Sequence, residues 1–189
     1  IEKLKNIVGI AGWRGALVVY VLGALSALAM PPTHMWWLLF VTVPLFLLRF
    51  GAVTTFAAAF REGWLIGFGY FCVALHWIGF AFLVDAKTYL WMMPFAVGGL
   101  AAVMAIYWGL ATAAAHALKR YGFVAWLSFP MMLAIAEWLR GHLMTGFPWA
   151  VPGLAADGMG AVVQVASVIG MTGLTLTVLL WACSLVPLI

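Results

Sequence analysis

The run GALVVYVLGALSALAMPPTHMWWLLFVTVPLFLL, residues 15–48, contains no Asp, Glu, Lys or Arg over 34 positions. A helix crossing a bilayer needs about 20 apolar residues at about 1.5 Å of rise each. This run is too long for one span. Its middle reads Met30-Pro31-Pro32-Thr33-His34. Adjacent prolines remove backbone donors and push the preceding residue out of the helical region. The chain is therefore predicted to fold back there, giving two helices near 15–30 and 35–49 that form a short hairpin. Each is short for a full span, which implies local thinning of the bilayer.

The rest of the chain has the same character. Uncharged runs also cover 63–84, 88–118, 121–136 and 158–189. Of 189 residues, 67% are hydrophobic and 7% charged, with a mean hydropathy of +1.16. A soluble domain carries roughly 25% charged residues, so lipid must be the solvent here. The fold class is an all-α integral membrane protein, a polytopic helical bundle forming one domain over 1–189. About six spans are expected, near 15–30, 35–49, 56–84, 88–118, 123–143 and 158–186. The first residue is Ile and the last run ends without a polar tail, so the chain is read as a piece of something longer.

Lys3, Lys5 and Arg14, followed by an apolar run to Ala27-Leu28-Ala29, resemble a secretory signal with an Ala-x-Ala cleavage site. Against cleavage, another apolar run follows within five residues and no soluble region comes after it. The net charge of +4 does not imply nucleic acid, because the nine basic residues form no cluster with interleaved aromatics. They lie in short loops, where they act as topology signals. With a cytoplasmic N-terminus, Lys3, Lys5, Arg14, Arg49, Arg61, Lys119 and Arg120 fall inside and only Lys87 and Arg140 outside. That asymmetry predicts that the Glu137–Trp149 region lies at the outer face, which in a bacterium is the periplasm.

Small residues mark the expected helix contacts. Gly63 and Gly67 form a GxxxG, and Ala101, Ala105, Gly109 and Ala113 recur every four residues. Both stripes are read as packing surfaces. Trp36, Trp37, Trp91 and Trp149 fall near predicted outer boundaries, where aromatic belts form. His76 is read as a packing histidine beside Trp77, and His34, His116 and His142 lie near helix ends. No His/Cys/Asp/Glu set has metal-ligand spacing, and no cofactor is implied. Cys72 and Cys183 sit in apolar helix, which suits neither a disulfide framework nor a reactive thiol.

The charged exception is AEWLRGHLMTGFPWAVPG, residues 136–153. Glu137 and Arg140 are three apart, so on a helix they share a face and can pair. Charges at or in a membrane are functional candidates by default, and the alternative is a salt bridge that closes the helix end. Gly146-Phe147-Pro148-Trp149 and Pro152-Gly153 then forbid further helix. Such an apolar loop at the outer interface either lines a lateral opening for a lipid chain or anchors the bundle.

Four features together resemble the N-terminal membrane part of the apolipoprotein N-acyltransferases. They are Leu22-Gly23-Ala24-Leu25-Ser26-Ala27-Leu28-Ala29-Met30-Pro31-Pro32 before Trp36; Gly63-Trp64 and Gly67-Phe68-Gly69-Tyr70-Phe71 leading to Trp77-Ile78; Glu137-Trp138-Leu139-Arg140 with Thr145-Gly146-Phe147-Pro148-Trp149 and Gly153; and Gln164 with Gly170-x-x-Gly173. The third is the most specific. The resemblance implies eight helices and a periplasmic nitrilase-like domain with catalytic Glu, Lys and Cys. That cysteine would take an acyl chain from a phospholipid as a thioester and pass it to the α-amine of a diacylglyceryl-cysteine lipoprotein. Phospholipid donor, apolipoprotein acceptor and membrane are the implied partners. No residue of this chain matches the catalytic set, so these residues alone are expected to be inactive. Glu137, Arg140, Phe147, Pro148, Trp149, Trp77 and Gln164 are the candidates for lipid lining or structural support. The competing classes are a transporter or channel subunit and a noncatalytic scaffold. Charges confined to the rims and the lack of a repeat weigh against the transporter.

Overall fold

The computed structural model describes Ile10 and residues 12–121 and 124–188, except the side chains of Arg120, Ala125 and Leu188. Lys3 and Lys5 lie outside the described residues. The chain is a helical membrane protein, and no strand forms among the described residues. Among the described residues six longer α-helices build it: α1 (Gly12–Ala27), α2 (Leu39–Gly51), α3 (Phe56–Ala74), α4 (Met93–Leu118), α5 (Ala125–His142) and α6 (Ala166–Cys183), with one further α-helical turn at Ala86–Tyr89 before α4. By length and composition, Ala86–Leu118 and Pro152–Cys183 are long and apolar enough to cross a membrane. A third candidate is α3 with the 3-10 segment His76–Leu83, bent by 44°. Gly12–Ala27 and Trp36–Gly51 are apolar but shorter.

The Pro31-Pro32 reversal is where the sequence predicts it. The Thr33 hydroxyl donates to the Leu28 and Met30 carbonyls at 2.6 and 2.9 Å, and Met35 N–H donates back to Leu28 at 3.0 Å. These bonds satisfy carbonyls that α1 leaves open at its end. Across the hairpin, the buried Ser26 and Thr42 hydroxyls meet at 2.7 Å. A hydroxyl pair of this kind joins membrane helices where water-driven burial is unavailable.

Small residues then let α3 sit between α1 and α4. A side chain on Gly63 would run into Thr112 and the Trp108 carbonyl, and one on Gly67 into Trp108 and Ala105. On the other face, Gly23 of α1 lies against the Ile66 backbone and Gly69 against that of Tyr20. The α4 stripe is buried at Ala101, Ala105 and Ala113, while Gly109 receives the Phe60 ring. Both stripes are packing surfaces.

Two expected helices are interrupted. The helix predicted over 56–84 ends at Ala74 and continues as 3-10 turns after Leu75. The one predicted over 158–186 opens as a 3-10 run, Pro152–Val165, and becomes α-helix only at Ala166. Gly160 (φ 63°, ψ −123°) and Gly170 (φ 69°, ψ 176°) break it. A side chain at either would meet nothing within 4 Å, so backbone conformation and not crowding explains glycine there. Hydropathy alone reads through such breaks, because Gly170 lies inside an uncharged run.

The charged groups sort to two ends. At one, Arg49 bonds Glu62 at 2.6 and 3.1 Å and the Ile10 carbonyl at 2.8 Å, while Arg61 reaches Glu62 at 3.0 Å. Lys119 donates to the Phe50 carbonyl at 2.9 Å. Partial burial lowers the Lys119 pKa from the usual lysine value. The opposite end holds the Pro31-Pro32 turn, tied by His34 to Asp157 at 3.3 Å.

Candidate functional site

Helix α5 carries Glu137 and Arg140 on one face, one helical turn apart, and packs that face against α4. The two side chains pair: Arg140 Nη2 donates to Glu137 Oε2, and Arg140 Nε to Oε1 at 3.3 Å. Trp108 Nε1, from α4, donates to the same Oε1 at 2.7 Å. Glu137 is 4% and Arg140 1% exposed. Near the end of α5 the pair is enclosed by protein because each charge finds partners there, which is the condition for tolerating a buried ion.

The other arm of Arg140 explains the loop. Its Nη1 donates to the Phe147 carbonyl at 2.5 Å and the Trp149 carbonyl at 2.9 Å. Irregular backbone within a membrane protein persists only where protein or water satisfies its polar groups. One guanidinium supplies that for both carbonyls. It also sits 5.0 Å over the Phe71 ring and 6.0 Å from the Phe147 ring centroid, within cation–π range. The buried Tyr70 hydroxyl donates to the Ala150 carbonyl at 3.1 Å, just where Ala150 adopts φ 57°. Gly146 (φ 72°) makes the first turn of the loop and lies against the Gly141 carbonyl.

The loop consequently does not simply dip outward. Met144 and Trp149 project from the protein, whereas Val151, Pro152, Gly153, Ala155 and Ala156 turn inward and are buried. Gly153 N–H reaches Thr175 Oγ1 on α6 at 3.2 Å. Apolar residues suit lipid and protein interior equally, so composition did not distinguish these courses.

Of the residues singled out from the sequence, Glu137, Arg140, Phe147 and Trp149 form one cluster. Trp77 joins it, with its ring 6.2 Å from Trp149 and edge-on. Pro148 lines a cleft of about 190 Å³ with Glu137, Trp138, His142, Thr172 and Thr175. Gln164 does not join. It is exposed on the 3-10 run, where its carbonyl accepts from Ser167. Trp108, Tyr70 and Phe71 were missed. The usable sign for Trp108 was an indole donor on an otherwise small-residue face, which requires a buried acceptor.

Chemically this cluster is a clamp. Both Glu137 oxygens accept from Arg140 or Trp108, so the carboxylate is occupied by structural partners. Among the described residues no three His, Cys, Asp or Glu side chains gather to hold a metal.

Comparison with known proteins gives the family of the chain. The family model for the apolipoprotein N-acyltransferase N-terminal domain matches residues 22–184. The chain belongs to the apolipoprotein N-acyltransferase family. It is 45% identical over 170 residues to the apolipoprotein N-acyltransferase of Rhodopseudomonas palustris, covering 87% of this chain and 32% of that protein. The enzyme of Caulobacter vibrioides is 42% identical over 165 residues, 86% of this chain and 31% of the relative. That of Allorhizobium ampelinum is 38% identical over 184 residues, 92% and 35% respectively. The chain thus spans about a third of the length of these relatives. The clamp, from Glu137 to Trp149, falls within the family-matched residues.

Proposed function

We propose that this chain is the membrane platform of an enzyme that transfers an acyl chain from a phospholipid to the N-terminal diacylglyceryl-cysteine of bacterial lipoproteins. The reaction proceeds through an acyl-cysteine in a periplasmic nitrilase-like domain. These residues hold the lipid substrates beneath that domain in the inner membrane, with the N-terminus cytoplasmic and the Glu137–Trp149 region periplasmic. Family membership over residues 22–184 carries the reading. The clamp supports it, because it holds an aromatic loop rigid at the Trp149 end of the bundle while spending no reactive group there. Membership in the family favours this reading over the transporter and scaffold alternatives.

The test uses the complete polypeptide in phospholipid vesicles with a diacylglyceryl-cysteine lipopeptide. Mass spectrometry should show one acyl chain added to the α-amine, with matching lysophospholipid. Trp149→Ala should lower that rate at normal abundance, because Trp149 is 60% exposed and its loss costs little packing. No transfer by the unaltered protein would overturn the proposal. Full activity of Trp149→Ala would make that tryptophan an anchor only.

A further inference from the structure

The bonds that hold the loop after α5 act on its backbone. Arg140 and Tyr70 bind the carbonyls of Phe147, Trp149 and Ala150. None of these bonds restrains the Trp149 side chain about its own torsions, and that side chain projects from the protein. An unrestrained side chain distributes over several staggered rotamers. Among the described residues, the aromatic contact that the Trp149 ring makes is with Trp77, the centroids 6.2 Å apart and the planes at 64°. Edge-to-face is a preferred arrangement of aromatic pairs.

Trp77 is well placed to hold its neighbour, because its own backbone is fastened on both sides. Helix α3 ends at Ala74, and the fully buried Leu75 anchors the turn that follows. Ile78 N–H donates to the Leu75 carbonyl at 3.0 Å, and His76 Nδ1 donates to the Val73 carbonyl at 2.7 Å. Gly79 is buried against the Met93 side chain at the start of α4, where an added Cβ would come within 2.6 Å of Met93 Cε. Tyr70 and Phe71 of α3 already serve the loop, one through Ala150 and the other through Arg140. Trp77, beyond the break, adds the contact that reaches a loop side chain.

Orientation matters for an indole, since its single donor points one way in the ring plane. Trp64 and Trp108 give theirs to the Ala102 carbonyl and to Glu137. Trp77 and Trp149 give theirs to no group among the described residues. Turning the Trp149 ring therefore redirects an open donor and an exposed apolar face together.

We infer that Trp77 is a positioning residue for the proposed acyl transfer: it sets the orientation of the Trp149 indole toward substrate and acts through that ring alone. The inference rests on the acyltransferase reading and adds to it the residue that organises the Trp149 side chain.

The complete polypeptide in phospholipid vesicles is assayed for lipopeptide acylation as Trp77→Ala, Trp77→Leu, Trp77→Phe, Trp149→Ala and the double variant Trp77→Ala/Trp149→Ala. In parallel, a fluorotryptophan placed at residue 149 by codon suppression reports the ring by fluorine NMR. Trp77→Ala and Trp77→Leu should lower kcat/KM by about two- to tenfold, the worth of an edge-to-face pair, at unchanged melting temperature. The fluorine signal should move toward that of a freely rotating ring. Trp77→Phe keeps an aromatic edge and should recover most of both. The double variant should be no slower than Trp149→Ala. Losses that multiply in the double variant, full activity of Trp149→Ala, or an unmoved fluorine signal in Trp77→Leu overturn the inference and leave the enzyme reading intact. Where Trp77→Ala does not fold, Trp77→Leu keeps apolar bulk and carries the same expectations. Loss of folding in both, at a half-exposed position, also overturns the inference, because the role is then structural. No acylation by the unaltered polypeptide overturns the acyltransferase reading, and the inference with it.

Discussion

Arg140 shows how much one side chain can organise here. It serves the Glu137 carboxylate and two loop carbonyls at once, from a position that is 1% exposed. Arg140→Met should therefore leave a buried carboxylate and two carbonyls unserved. Breaking a buried pair from one side costs about 3–5 kcal/mol, and thermal unfolding in detergent should register that loss. Trp108→Phe keeps the ring packing against Tyr70 and Phe71 but removes the donor to Glu137. It should cost less, about 1–3 kcal/mol. Equal destabilisation by the two would mean that packing, and not the hydrogen-bonded clamp, holds the loop. The Glu137–Arg140 pair was legible because an i, i+3 spacing is local. Trp108 was not, because its partner lies 29 residues away on another helix.

Among the elements, α3 is the most constrained. Glycines let it touch α1 on one face and α4 on the other. Gly23→Leu should drive a side chain into the Ile66 backbone, which has no rotamer with which to yield. The expected outcome is loss of the folded protein in detergent, measured by size-exclusion profile and melting temperature. Gly98→Leu makes the control, since nothing lies within 4 Å of that position. It should retain near-native behaviour, and equal loss in both would show that crowding against the Ile66 backbone is not the cause, since leucine favours helix over glycine at either position. The hairpin turn at Pro31-Pro32 and the GxxxG contact could be read from sequence, since prolines break helices wherever they are and glycine spacing fixes a face. The breaks at Leu75, Gly160 and Gly170 could not. An uncharged run looks the same whether it is straight or bent.

At the scale of the molecule, basic residues divide between the ends. Arg49, Arg61 and Lys119 make their contacts at one end, and Arg140 clamps the loop toward the other. The proposed orientation is checked in intact cells with a membrane-impermeant thiol reagent on an otherwise cysteine-free protein. His142→Cys should be labelled from the periplasm and Lys119→Cys should not. The reverse pattern would invert the topology and place the Trp149 loop in the cytoplasm.

The amino-acid sequence alone determined that this chain lives in lipid, that it is helical, that it doubles back at Pro31-Pro32, and which family it resembles. All of these follow from composition or from residues close together in the chain. The tertiary structure decided where the charges go and which way the loop runs. Burial of Glu137 and Arg140 depends on Trp108 and on carbonyls delivered by a returning backbone, and the inward course of 151–156 depends on Tyr70 and Thr175. A charge is expensive in a bilayer until distant partners surround it, and only the assembled bundle supplies them.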